Sequence, residues 1–437
     1  MKKDNKGFTL VELLAVIVIL AIIMLIAIPS VLNVMTTAKR QAFKEYIDKV
    51  ALATQNKYTE SQLYNNVTPS VVIYDIEKDL GLTSTGDYKG FTLVDSNKDI
   101  YVTLYDKEFA VSGLKWSDID NASVVSVVSV SSTEFTKEGL ATVVGVSDYS
   151  YYEDGELKTG EVILKKAIMT SGSVFNTYIK RLANDESFSA SSADRKIKHV
   201  KFTRNISSAP DSKVSVSDVT SEKRIYVWWE ESTETIYIGC ENNMIYLSKD
   251  ASYMFHYLFN VEDIDFSHFI SDDTSSLYRF VSGCFKLKSV DLKHFNTSKV
   301  TNFRAVFLDC AEITSLDLST WNTSNAIEIG YMFSGTTNLK SLDISNFNTS
   351  GVTRMENLFQ KSGLKEIHIE SFDTSKVKDM SYSFGQAPNL ERIYVSSKFT
   401  IDAIANTSPL FTGSTKLQNF DSSKVSKEYW TLYMTVV

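Results

Sequence analysis

Glu12 is the only ionisable residue between Phe8 and Val31, in a run reading FTLVELLAVIVILAIIMLIAIPSV. A charge held at membrane depth costs on the order of 3 kcal/mol, so this carboxylate requires a partner or a function. A cation brought by another chain would satisfy it. A second set of carboxylates recurs at a fixed step: Asp265, Asp291, Asp317 and Asp343 lie 26 residues apart. On neighbouring strands about 4.8 Å apart, four such groups repel one another. They are tolerated if solvated or hydrogen-bonded by hydroxyls such as those of Ser289, Ser315 and Ser341. The sharper alternative is a face that binds a cation or a basic ligand. Cys240, Cys284 and Cys310 are too few for a disulfide framework and lack paired metal-ligand spacing. Cys284 and Cys310 occupy equivalent places in adjacent repeats, so a bridge and a pair of buried thiols both stay open.

Other chemistry is not signalled. The sequence has no phosphate-binding GxxxxGK[ST] loop, no GxGxxG after a strand, no HExxH and no GxSxG elbow. The five histidines are scattered: His199, His256, His268, His294 and His368. No enzyme activity, cofactor or metal is therefore expected. The net charge of −8 argues against bulk nucleic-acid binding, which needs basic patches to displace counterions.

The elements that must position these residues begin with the apolar run. As a helix it is roughly 36 Å long, enough to span a hydrocarbon core of about 30 Å. Lys2, Lys3 and Lys6 precede it and hold that end in the cytoplasm. A removable signal peptide is the plainer reading. The run is longer than the usual apolar region, no A-x-A-like site closes it, and a carboxylate near its start has no use there. Beyond it, Ala42, Phe43, Tyr46, Ile47, Val50 and Leu52 recur at helical steps, which predicts an amphipathic helix. Strand-like runs follow around Val71 and from Gly90 to Gly113, and predict hairpins ending near residue 118. The Ser/Val stretch from Ser123 reads equally as an edge strand or a linker. Trp228 and Trp229 read as a binding platform or as core and cap residues, with the cap favoured.

The chain has 437 residues, which implies two or three domains, and its last third repeats itself. Units starting at Val261, Leu287, Ile313, Leu339, Leu364 and Leu390 share an L-x-x-L-x-L-like core and step by 26, 26, 26, 25 and 26 residues. Each continues into an aromatic residue with an Asn/Asp turn, as in Phe295-Asn-Thr-Ser, Trp321-Asn-Thr-Ser, Phe347-Asn-Thr-Ser and Phe372-Asp-Thr-Ser. Helix-spaced sets follow, such as Val352, Met355 and Phe359. A unit of this kind cannot bury its own apolar face, so the units are expected to stack.

Two resemblances sharpen this reading. Gly7, Phe8, Thr9-Leu10-Val11 and Glu12, behind a short basic leader, resemble the class III leader of type IV pilins and pseudopilins. That resemblance implies cleavage between Gly7 and Phe8 by a prepilin peptidase and N-methylation of Phe8. It implies that Glu12 sets the assembly register by pairing with a neighbouring subunit's amine, and that Pro29 bends the helix. Residues 220–420 resemble BspA-type leucine-rich-repeat surface proteins through their F-N-T-S-x-V-T-x-M signature. They depart from it at Phe269-Ile-Ser and where His368 and Tyr394 replace the strand Asp. Surface display and adhesion are what this second resemblance implies.

The expected fold class is α+β: a long N-terminal transmembrane and spine helix, a small antiparallel pilin-like sheet, and a leucine-rich-repeat solenoid. The expected divisions are a leader (1–7), a membrane and filament helix (8–35), a pilin-like domain (36–118), a β-rich intermediate region (119–224), a repeat cap (225–260), repeats (261–420) and a C-terminal cap or tail (421–437). The expected protein is a low-copy, minor-pilin-like subunit, first in the bacterial cytoplasmic membrane and then at the cell surface or in a pilus. Its expected partners are the prepilin peptidase, other pilin subunits through the N-terminal helix, the membrane, and a protein or surface ligand of the repeats. The alternatives are a pseudopilin of a secretion or DNA-uptake machine, and a tethered surface protein that never assembles.

Overall fold

The computed structural model describes residues 36–62, 71–82, 88–120, 123–127, 130, 132–154, 156–162, 165–206, 209–241, 244–405, 410–419, 430 and 433–436. Gly7, Phe8, Glu12, Pro29 and the rest of the apolar N-terminal run lie outside these residues. The chain divides into two compact units at Leu164 and Lys165.

The first unit starts with helix α1 (36–62). Its stripe of Phe43, Ile47, Val50 and Ala51 is fully buried, as the three- and four-residue spacing requires. Seven strands form one sheet: β1 (Val72–Asp75), β2 (Lys89–Val94), β3 (Ile100–Tyr105), β4 (Phe109–Lys115), β5 (Val125–Ser126), β6 (Asp148–Glu153) and β7 (Glu156–Glu161). Their order is β5-β4-β3-β2-β1-β6-β7, antiparallel throughout except where β1 runs parallel to β6. Strand alternation sorts the two faces. Val72, Tyr74, Val102 and Leu104 pack with the α1 stripe. Ile73 and Leu93 pack instead with Leu140 and Ala141 of helix α2 (Lys137–Val144). Thr136 caps α2 by accepting from the Gly139 N–H, and Gly145, at φ 87°, ends it in the left-handed conformation. Residues beyond 118 thus supply three strands and a helix to this unit.

In the second unit, helix α3 (Gly172–Ala183) buries Phe175 and Ile179 in a core that continues to Trp430. Strands β8 (His199–Thr203), β9 (Val214–Ser215), β10 (Ile225–Glu230), β11 (Thr235–Cys240) and β13 (Asp263–Ile264) form a sheet in the order β13-β8-β11-β10-β9. Strand β12 (Ile245–Tyr246) pairs with β14 (Phe269–Ile270). Trp228 is a packed residue of this sheet: its ring stacks on Tyr237, and a Cβ at Gly239 would meet it at 2.6 Å.

The repeats form successive coils with aligned apolar side chains. Phe307, Phe333, Phe359, Phe384 and Phe411 stack with centroids 6.1, 5.5, 5.8 and 5.6 Å apart. On the strand side, β15 (Ser315–Asp317) pairs in parallel with β16 (Ser341–Asp343), and β17 (Glu366–His368) with β18 (Arg392–Val395), which pairs with β19 (Thr435–Val436).

These observations overturn the expected fold class. The expected membrane helix over 8–35 lies outside the described residues, and among those described no helix is long and apolar enough to cross a membrane. The first unit's sheet has seven strands of mixed direction rather than being small and antiparallel. The repeats do not form a leucine-rich-repeat solenoid with a continuous sheet and a helix per unit. Their strands are two to four residues long and split among separate sheets. The strand pairing is interrupted between β16 and β17, where the one 25-residue step falls, while the turn-side bridges run on from Arg354 to Asp379.

The segments expected as helix-like are turns, since their N–H groups are committed elsewhere. Those of Phe303, Ala305, Phe307 and Asp309 donate to Glu328, Gly330, Met332 and Ser334 carbonyls of the next coil at 2.9, 2.9, 3.1 and 2.8 Å. Two left-handed residues per coil, four apart, turn the chain: Arg279 and Gly283, Ala305 and Asp309, Tyr331 and Gly335, Asn357 and Lys361, at φ 53 and 75, 57 and 59, 61 and 74, and 57 and 58°. Such a conformation costs a non-glycine residue about 1 kcal/mol, which the inter-coil hydrogen bonds offset.

Candidate functional site

The strand side of the coils carries the sequence-predicted acidic column. Side chains alternate here, so Leu316, Leu318 and Ile344 point inward while Asp317 and Asp343 point out as direct register partners. The Oδ1 atoms of Asp265, Asp317 and Asp343 accept from the backbone N–H two residues on, at Ser267, Ser319 and Ser345, and from those serines' hydroxyls. Asp291 accepts from the Lys293 N–H alone, at 3.3 Å. The four aspartates are therefore turn-formers, closing the chain after β13, β15 and β16 and, at Asp291, after a segment outside any strand. Lys293 also reaches across one coil to Asp317 at 2.6 Å. Together with the Ser319 donors it holds the Asp317 carboxyl down at about 2. His268 lies 3.5 Å from Asp265. Among the described residues no group of three or more His, Cys, Asp or Glu side chains is arranged to hold a metal. Where the column changes type, His368 stacks on Tyr394 at 4.5 Å and Arg392 pairs with Glu366 at 2.5 Å.

The Asn-Thr-Ser turns have a structural function. The side-chain oxygens of Asn296, Asn322 and Asn348 accept from the Ser298, Ser324 and Ser350 N–H groups at 3.2, 3.0 and 3.0 Å. The buried threonines between them stitch the coils. Thr297 donates to the Asn322 carbonyl at 3.1 Å and accepts from the Asn322 N–H at 2.8 Å. Thr323 does the same with Asn348, at 3.0 and 2.8 Å. Each hydroxyl thus satisfies two backbone groups that would otherwise be buried unpaired. All three cysteines are buried free thiols. Cys284 donates to the Phe255 carbonyl at 3.0 Å and Cys310 to the Val281 carbonyl at 3.2 Å. Burial pushes the Cys284 thiol up to about 12, so it is inert as a thiolate.

The turn side differs in kind, and its arrangement was not read from the sequence. Tyr278, Arg304, Gly330 and Glu356 occupy one column at 26-residue steps. Arg304 crosses the coil of Gly330 to pair with buried Glu356, which also accepts from Arg354 at 2.7 Å. Arg304 lies 4.7 Å over the Tyr331 ring. The signal available in the sequence was the column's single glycine, visible only once positions are aligned at the repeat period.

Comparison with known proteins bears on both ends of the chain. The family described as the prokaryotic N-terminal methylation motif matches residues 2–28. The family described as Mycoplasma protein of unknown function, DUF285, matches three overlapping stretches, 249–342, 274–391 and 338–434. No curated protein and no solved structure matches the chain. The repeat match carries no statement of ligand or adhesion. The N-terminal match covers Gly7, Phe8 and Glu12, so the chain carries a prepilin-type N-terminal segment and, with it, the mark of type IV pilin-like processing.

Proposed function

We propose that the chain is a minor-pilin-like surface subunit that displays its repeat coils for adhesion or protein recognition, without enzymatic activity. The observation that carries this reading is the methylation-motif match over residues 2–28, with Glu12 at the fifth position from Phe8. A prepilin peptidase cuts between Gly7 and Phe8 and methylates Phe8. Glu12 then pairs with the terminal amine of a neighbouring subunit, which relieves the cost of an unpaired carboxylate in an apolar bundle. The burial of the α1 stripe under a sheet fits a head built directly onto the assembling segment. The size of the repeat unit favours low copy number, because bulky heads crowd a densely packed filament. The coils present outward columns of alternating chemistry, which suits recognition.

Replacing Glu12 by Ala tests the assembly step. Leader cleavage is expected to stay normal while the amount of the chain in sheared surface fibres falls. Unchanged incorporation would remove Glu12 as the registering group.

A further inference from the structure

At the front of the coils, rings from two successive turn segments form one continuous stripe. Tyr278 meets Tyr253 at 5.1 Å, Tyr253 meets His256 at 5.3 Å, and His256 stacks on Tyr257 at 3.7 Å. Tyr257 then meets Phe259 at 5.5 Å, and Phe259 meets Phe285 at 4.7 Å. His256 is buried, and the other five rings are half-buried, so each keeps an edge or face open. Arg279 lies at the Tyr278 end, 5.5 Å from that ring's centroid, and Arg195 lies 4.9 Å from the centroid of Phe259, next to the other end.

The charges at this stripe are not neutralised internally. Arginines of the second unit that pair with carboxylates include Arg181, Arg304, Arg354 and Arg392. Neither Arg195 nor Arg279 makes such a pair among the described residues. Arg279 donates instead to the Tyr278 hydroxyl at 3.0 Å, and Asp309 acts on it only through space. Two cations without a carboxylate ion pair among the described residues, Arg195 exposed and Arg279 half-buried, therefore flank an apolar stripe on a chain whose net charge is −8. Tyr, Phe and Arg are the residue types that dominate protein-recognition surfaces, because they offer large rigid contact area at small entropic cost.

Ring orientation distinguishes between partner classes. Tyr253 and Tyr278 stand at 80°, Tyr257 and Phe259 at 81°, and Phe259 and Phe285 at 78°. Edge-to-face neighbours in contact present a ridged outer surface of alternating edges and faces, whereas a sugar ring stacks on a flat platform. We propose that this stripe docks an acidic protein segment: apolar or aromatic side chains pack against the outer surfaces of the rings, and flanking carboxylates reach Arg195 and Arg279. The inference rests on the surface-display reading and names the class of partner for it.

The test uses the full chain in detergent micelles, with three soluble probes: a glutamate–tyrosine copolymer, polyglutamate and polygalacturonate. The copolymer is expected to bind about tenfold more tightly than polyglutamate, and the pair Arg195→Gln/Arg279→Gln to remove about tenfold of that affinity. The charge-matched pair Lys340→Gln/Lys365→Gln, on exposed strand-side positions, is expected to leave binding unchanged. Equal loss in both pairs, or a copolymer no tighter than polyglutamate, would overturn the proposal in favour of bulk charge. Polygalacturonate binding in place of the copolymer would overturn it in favour of an acidic glycan. Arg195→Gln alone, an exposed position, and matched thermal unfolding keep the result free of folding effects. N-methylation of Phe8, measured on the same preparations, reports separately on the display reading.

Discussion

Arg304 and Glu356, two coils apart, are joined by an ion pair that passes over the coil between them at Gly330. A Cβ at Gly330 would meet Arg304 Nη1 and Glu356 Oε2, each at 2.9 Å. Gly330→Ala is expected to displace the pair and to destabilise the second unit by about 1–3 kcal/mol, because buried Glu356 loses a cation. Chemical unfolding measures this. Glu356→Gln should then cost less in the Gly330→Ala background than in the parent chain. Equal costs in the two backgrounds would mean that Gly330 has no part in the pair.

The threonine stitch makes a second prediction. Thr323→Val keeps the shape of the side chain but leaves the Asn348 carbonyl and N–H without the partner they have at 3.0 and 2.8 Å. The expected loss is about 1–3 kcal/mol, and Thr323→Ser, which retains the hydroxyl, is expected to cost less than about 1 kcal/mol. Similar losses for the two would show that the methyl group's packing, not the hydrogen bonds, holds the coils.

Two buried bases give the second unit a defined pH response. Burial lowers His256 from 6.5 to about 4, although its ring donates to the Ser282 carbonyl at 3.0 Å. Between those values the unfolded chain binds the extra proton, so stability rises with pH and falls on acidification from 6.5 to 4. The expected contribution is on the order of 3 kcal/mol. His256→Asn should flatten that part of the profile.

Burial likewise lowers Lys180 from 10.5 to about 8, where it donates to the Ala190 and Ser192 carbonyls at 3.1 and 2.7 Å. The unfolded chain again holds the extra proton between the two values. Stability from this group is therefore expected to climb as pH rises from 8 to 10.5. Thermal unfolding across that range checks it against Lys180→Met, which should lack the climb.

Much of this architecture was visible in the sequence wherever a period was. The α1 stripe at Phe43, Ile47 and Val50, the repeat step and the inward Leu316 and Leu318 all follow from regular spacing. The same regularity misled at Val352, Met355 and Phe359, whose spacing fits a helix. The backbone there bonds to the neighbouring coil, and an inter-coil hydrogen bond leaves no trace in one repeat's own periodicity. The parallel pairing of β1 with β6 was hidden for a related reason: more than seventy residues separate Val72 from its partner Ser150, and strand propensity does not name partners. The acidic column was legible as outward-facing, but its use in turn closure depends on the side-chain geometry of Ser267, Ser319 and Ser345.

The central claim concerns residues 2–28, and the mature N-terminus tests it most directly. Mass spectrometry of the chain from sheared surface fibres and from membranes would identify that terminus in each fraction. N-methylated Phe8 in the fibre fraction is the expected result, and it establishes both processing and assembly. An intact Met1, or a processed Phe8 confined to the membrane fraction, would contradict the filament reading and leave a tethered surface protein.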